Sequence, residues 1–211
     1  MGSRVDASLY STIRKIVKKQ IKIKQKTSLF KLRRGVFFVS KHKSFIFVEK
    51  NKTMNKKTLY LIDAMAVIYR AFYALNKNPR ITTKGLNVSA ILGFCNTLLD
   101  IIKQYKPSHL GIAFDLQGPT FRHVQFEQYK ANRQAMPEEI KESIPYIKNI
   151  IQAMNIPLLC KEGYEADDVI GTLAKKAVNK GYEVFMVTPD KDYAQLVEEN
   201  IKMLKLGRGA S

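Results

Sequence analysis

Apolar residues first fall into order at Leu59. Leu59–Ile62 is a short unbroken apolar run that stops at Asp63, the pattern of a buried strand. A helix over Ala64–Leu75 follows it. From about Val88 to Tyr105 the apolar positions Ile91, Phe94, Cys95, Leu98, Ile102 and Tyr105 recur at helical spacing, and Pro107 ends the run. Leu110–Phe114 predicts a second strand, closing on Asp115. Pro137 predicts a helix with itself at the first position, Glu138 and Glu139 in the first turn, and one stripe of Ile140, Ile144, Ile147, Ile151 and Met154. Ile156–Cys160 predicts a strand, Ala166–Lys180 a helix closed by Gly181, Glu183–Val187 a strand and Asp190–Val197 a short helix.

Strand and helix alternate throughout this stretch, which predicts an α/β fold with a mostly parallel central sheet and helices on both faces. In such sheets ligands bind beyond the carboxyl ends of the strands.

Residues 1–53 break the pattern. They are Lys-rich and proline-free, with 15 Lys and Arg against only Asp6 and Glu49. They therefore carry +13 of the chain's net +18, and residues 54–211 carry +5. The large positive charge points to a polyanionic partner, but most of it lies outside the ordered pattern. Val36–Val39 and Phe45–Val48 can pair as a weak hairpin. Three readings compete for this segment: a solvated basic tail, a targeting segment, or translated sequence upstream of the true start. Met54, standing directly before the first strong strand, favours the third.

Cys95 and Cys160 form no CxxC pair, which argues against a disulfide framework or a zinc site and for two reduced, buried thiols. No apolar run is long enough to span a bilayer or to form a signal-peptide core. Together these predict a cytoplasmic protein.

The acids carry the chemistry. Asp63 and Asp115 each end a strand, Asp190 and Asp192 lie just past Val187, and Glu165, Asp167 and Asp168 cluster at a helix start. In a parallel sheet all seven collect at one edge, where they repel unless cations offset them. An all-oxygen set suits Mg²⁺ or Mn²⁺ and not zinc. Two such ions about 3.5–4 Å apart activate water and stabilise the leaving oxygen in phosphodiester hydrolysis. Taken singly, each acid has a structural reading: Asp167 and Asp168 as first-turn acids on a helix dipole, Asp190 as an N-cap after Pro189. Their convergence from four separate loops favours the metal reading. Asp192 is the weakest member.

Residues 118–135 are basic and aromatic. Arg122, Lys130 and Arg133 can meet phosphates, Phe121 and Tyr129 can stack on bases, and the spacing of Lys130 and Arg133 puts both on one helical face. Arg70 points the same way. The competing reading is an ordinary amphipathic segment with Phe126 in the core.

At these residues a resemblance emerges. Leu61-Ile62-Asp63 with Tyr69-Arg70-Ala71, Thr120-Phe121-Arg122 with Tyr129-Lys130 and Arg133, the run Glu165-Ala166-Asp167-Asp168-Val169-Ile170-Gly171, and Thr188-Pro189-Asp190-Lys191-Asp192 resemble four ordered motifs of the 5′-nuclease domain of bacterial DNA polymerase I. The resemblance runs from about Lys57 to Leu204. It implies a PIN-like three-layer fold with a basic arch, and a divalent-metal nuclease with 5′→3′ exonuclease and flap-endonuclease activity in primer removal and repair. DNA with a 5′ flap, a nick or a branch is the implied partner, and the implied full-length relatives carry a polymerase domain in the same chain. It makes Asp63, Asp115, Glu165, Asp167, Asp168 and Asp190 metal ligands or their water-held neighbours, with Asp192 behind them. Arg70, Lys130 and Arg133 would steer the scissile phosphate and 5′ strand, and Gly85 would approach the DNA backbone. Ala64 stands where the family often has Gly. The family pattern continues past Ser211 into a second pair of metal-binding aspartates and a helical duplex-gripping hairpin. The alternative is therefore a catalytically incomplete piece that binds branched or single-stranded DNA without cutting. A phosphoryl-accepting receiver domain also gathers strand-end acids, but it has no use for the basic arch.

Overall fold

The structure is a computed structural model; it describes residues 57–206 except 117, 127, 132 and 133. The chain divides into two units, residues 1–52 and 53–211, and all described residues belong to the second. The hairpin read into residues 36–48 lies outside the described residues.

Five parallel strands form one sheet: β1 (Thr58–Asp63), β2 (His109–Ala113), β3 (Leu158–Leu159), β4 (Glu183–Val187) and β5 (Ile201–Leu204). Their spatial order is β3-β2-β1-β4-β5. The chain builds outward from β1 in one direction, then returns to its other side. That reversal opens a crevice beyond the strand ends. Asp63 leaves β1 and Asp190 follows β4, so the two acids flank the crevice.

Alternate strand residues face opposite layers. Leu61, Ala113 and Met186 pack with Ala166, Ile170 and Ala174 of α5 (Ala166–Val178). The other layer holds α1 (Ala64–Leu75), α2 (Ser89–Tyr105) and α4 (Glu138–Ala153). There Tyr60 stacks on Phe185 at 4.6 Å and meets Tyr105 of α2 at 5.7 Å. α1 and α2 approach closely: a Cβ on Gly93 would lie 2.5 Å from Ala71 Cβ. α3 is a short helix, Phe121–Gln125, and a 3₁₀ helix spans Lys191–Leu196.

Several expectations need correction. β3 has only two residues, because just Leu158 and Leu159 pair with β2 at the sheet edge. Cys160 beyond it is consequently exposed and not buried, and Cys95 is half-buried; both are free thiols. Pro137 is the N-cap of α4, with extended backbone, not its first helical residue. α4 buries Ile140, Ser143, Ile147, Ile150 and Ile151, while Ile144 and Met154 are half-buried. α2 turns Ile101 inward, leaving Ile102 half-buried and Tyr105 43% exposed. β5 and α3 escaped the sequence reading because four or five residues show too little periodicity. Among the described residues no helix is long and apolar enough to cross a membrane.

Candidate active site

Asp63 ends β1 and caps α1, its Oδ1 accepting the Ala66 amide at 3.1 Å. Its Oδ2 accepts the Tyr193 hydroxyl at 3.1 Å and the Thr188 hydroxyl at 3.5 Å. The side chain is buried at the base of an open cleft of about 1460 Å³, whose wall also includes Asp115, Glu165, Asp167 and Asp190. Burial pushes the Asp63 carboxyl above its usual range; the Ala66 and Tyr193 donors oppose the rise, and the charges of Asp115 and Asp190 add to it.

Asp115, just past β2, ties its loop to the start of α5 by accepting the Ala166 amide at 2.7 Å. Asp167, exposed along part of its side chain, accepts the Asp168 amide at 2.7 Å. Its carboxyl is also raised, first by partial desolvation and then by Asp168. Asp190 is the N-cap of the 3₁₀ helix, accepting the Asp192 amide at 3.0 Å, so the capping role read from the sequence is real and coexists with its place on the cleft wall. Asp192 is exposed and lines a smaller adjoining hollow with Arg122 and Asp168.

Two acids already have cationic partners. Arg122 grips Asp168 through both nitrogens, at 2.6 and 2.7 Å, and stands 3.7 Å from Glu165. This guanidinium holds the Asp168 carboxyl below its usual range. Lys130 Nζ lies 2.8 Å from each oxygen of Glu165, and the Tyr129 hydroxyl donates to the same carboxylate at 3.1 Å. The basic segment is thus folded onto the acids at the start of α5. Lys130 does this from a turn with φ 60; the expectation of a helical face shared with Arg133 falls on a residue outside the described residues.

Phe121 is 37% exposed, beneath the Arg122 guanidinium at 4.7 Å. Phe126 is 59% exposed and Val124 82%, so this is not an amphipathic segment with Phe126 in the core. α3 is too short, and its neighbours too polar, to reach the sheet. Arg70 is half-buried on α1 and is not among the residues lining the cleft. Gly85 is exposed in a tight turn, its amide donating to Thr82 O at 2.9 Å; its φ of 81 requires glycine, although nothing crowds the position.

Sequence reading missed Tyr193 and Thr188. Both are buried and both donate to Asp63. The one available signal was their place beside Asp190 in a motif already singled out. It also missed that Arg122, Tyr129 and Lys130 bind the acids themselves.

The donor set suits a hard divalent cation: it is all carboxylate, and mutual repulsion is felt at Asp63. It is not drawn together in advance. Among the described residues no three acids, histidines or cysteines stand close enough to hold a metal ion as they are.

Residues 58–210 match the family described as the 5′-3′ exonuclease, N-terminal resolvase-like domain. This chain belongs to that family. DNA polymerase I of Borreliella burgdorferi is 42% identical over 150 residues, which are 71% of this chain and 16% of that protein. DNA polymerase I of Treponema pallidum is 42% identical over 151 residues, 72% of this chain and 15% of that protein. The exonuclease-domain match therefore covers only about a sixth of the length of these relatives. The zinc-bound 5′-exonuclease of bacteriophage T5 superposes with a TM-score of 0.53 at 21% identity, over 69% of this chain and 54% of that one. That likeness bears out the expected PIN-like α/β fold.

Proposed function

We propose that this 5′-3′ exonuclease domain is a divalent-metal-dependent nuclease that hydrolyses DNA phosphodiesters at 5′ flaps, nicks and branches. Primer removal and repair are its setting, and the cytoplasm its place of work. One observation carries the reading. Asp63, Asp115, Asp167 and Asp190 stand at or beyond the carboxyl ends of four different strands of one parallel sheet, and all line one cleft. Each of these acids also holds a local backbone amide, but their charges gathered around one cleft repel and are costly without a cation. Mg²⁺ is the natural occupant, with Mn²⁺ as a substitute. When bound, such a cation supplies an activated water and offsets charge on the scissile phosphate.

The chain's own residues supply the rest. Asp63, Asp115, Asp167 and Asp190 face the cleft as ligands, with Glu165 and Asp168 behind them and Asp192 at the margin. Arg122 and Lys130, already beside the acids, are placed to meet a phosphate that enters the cleft. Phe121 and Tyr129 offer faces to bases, while Arg70, Gly85 and Arg133 contact the backbone of the DNA. Residues 1–53 are a basic extension to the domain, and polymerase activity belongs to other parts of the full-length relatives.

A second reading has its own support. Glu165 and Asp168 are engaged by Lys130 and Arg122, and no metal cluster is gathered among the described residues. This favours a module that binds branched DNA without cutting. Incubation of labelled 5′-flap DNA with the full chain and Mg²⁺, Mn²⁺ or EDTA separates the two. The nuclease reading expects metal-dependent cutting that falls roughly 100-fold or more in Asp63→Ala and Asp168→Ala. Salt-sensitive binding with no cutting in any metal supports the second reading; neither cutting nor binding sinks both.

A further inference from the structure

Asp63 rests on two buried hydroxyls that reach it from the far side of the crevice. Tyr193 is 3% exposed, packed in the apolar cluster with Leu61, Ile170 and Met186. Its phenol oxygen lies 3.1 Å from Asp63 Oδ2. Thr188 is fully buried at the end of β4, with its hydroxyl 3.5 Å from the same oxygen. The Thr188 hydroxyl also accepts the Asp190 amide at 3.1 Å. It thereby gives its proton to one acid and receives from the backbone of another. The Ala66 amide holds the opposite oxygen, Oδ1.

A hydroxyl with a single proton, buried among apolar groups, needs an acceptor. A phenylalanine or a valine would fill either space with no such need, and a buried carboxylate is itself a burden on the core. The pair is therefore better explained by the carboxylate than by packing. Donors on both oxygens fix the rotation of the Asp63 side chain about its last bond. They leave only its remaining edge to face the cleft. Because both donors follow β4, they also lock the strand end bearing Asp63 to the one bearing Asp190.

We propose that Tyr193 and Thr188 are positioning residues for Asp63, orienting its carboxylate toward a divalent cation. This rests on the reading of Asp63 as a ligand. Partners one step behind a metal ligand typically change metal affinity 10- to 100-fold when removed.

The test is Mn²⁺ binding to the full chain, read from the loss of the free-ion paramagnetic resonance signal, for the unaltered protein, Tyr193→Phe, Thr188→Val, Thr188→Ser and Asp63→Ala. Tyr193→Phe keeps the ring and removes only the hydroxyl. It is expected to weaken Mn²⁺ roughly 10-fold while melting within a few degrees of the parent. Thr188→Val is expected to weaken it less, given the longer contact, and Thr188→Ser to restore it. In flap cleavage the loss should fall on kcat with KM for DNA little changed. Parental affinity in both Tyr193→Phe and Thr188→Val, with binding lost in Asp63→Ala, overturns the positioning role and leaves Asp63 as a ligand. Mn²⁺ binding that Asp63→Ala leaves untouched overturns both.

Discussion

Asp63 is a buried carboxylate on the cleft wall, and its charge weighs on the fold. Its folded value is raised, first by burial and then by Asp115 and Asp190. The sign follows from linkage. Below the ordinary carboxylate range, near pH 4, the group is protonated in both states and its favourable contribution is complete. That contribution is lost as pH rises through the raised folded value, so at neutral pH the ionised side chain opposes folding. Asp63→Asn removes the charge, keeps an acceptor for the Ala66 amide and turns its NH2 to the Tyr193 and Thr188 oxygens, which then accept where they had donated. It is expected to raise the melting temperature in EDTA at about pH 7–8 by a few degrees, on the order of 1–3 °C, with the gain shrinking toward about pH 4. Thermal unfolding across that range checks it; a lower melting temperature at every pH contradicts the account. The same variant should be inactive as a nuclease.

Among the elements, the basic segment is the one with two competing uses. α3 is held to α5 by the two-pronged grip of Arg122 on Asp168, and to the turn before α5 by the Phe121 amide donating to Gly163 O at 3.0 Å. The following turn is held by Lys130 and Tyr129 on Glu165. Glu165 is buried, whereas the pair of Arg122 and Asp168 is partly exposed, so its worth is small, about 1 kcal/mol or less. That is what a segment needs if it must let go when a phosphate or a cation arrives. Arg122→Ala is expected to cost no more than about that amount of stability and to speed trypsin cleavage around residues 121–131. Asp168, whose folded value is lowered, contributes stability that is present above the ordinary carboxylate range and lost as pH falls through that lowered value. The variant should therefore show a flatter acid-side loss of stability. Unchanged proteolysis together with an unchanged acid limb would mean that Arg122 does not hold the segment.

For the molecule as a whole, charge and site are divided. Residues 54–211 carry +5 and all of the candidate acids, while residues 1–53 carry +13. Phosphate contacts set the salt dependence of binding and carry no structural selectivity. The full chain is therefore expected to lose affinity for plain duplex DNA more steeply than residues 54–211 between about 50 and 200 mM salt. The preference for a flap over a plain duplex should be the same in both. Fluorescence anisotropy with the two DNAs measures this, and equal salt slopes would show that the extension makes no phosphate contacts.

What could be read in advance was local. An apolar run that stops at an acid needs no partner to be recognised, so Asp63 and Asp115 are visible as strand-end carboxylates, and the helix read over Ala64–Leu75 is α1. Hydrophobic periodicity is a property of neighbours within a few residues, and long elements repeat it often enough to be seen. β5, with four residues, and α3, with five, do not. Contacts between distant segments left no such trace. Tyr193 reaches Asp63 across 130 positions and Arg122 reaches Asp168 across 46. The sequence by itself determined which acids stand at strand ends and that the sheet is parallel. Only the tertiary structure decided that β4 returns to the side of β1, because strand order depends on how helices of both layers share the two faces of the sheet. That choice makes Asp63 and Asp190 neighbours across one crevice and turns two buried hydroxyls toward the same carboxylate.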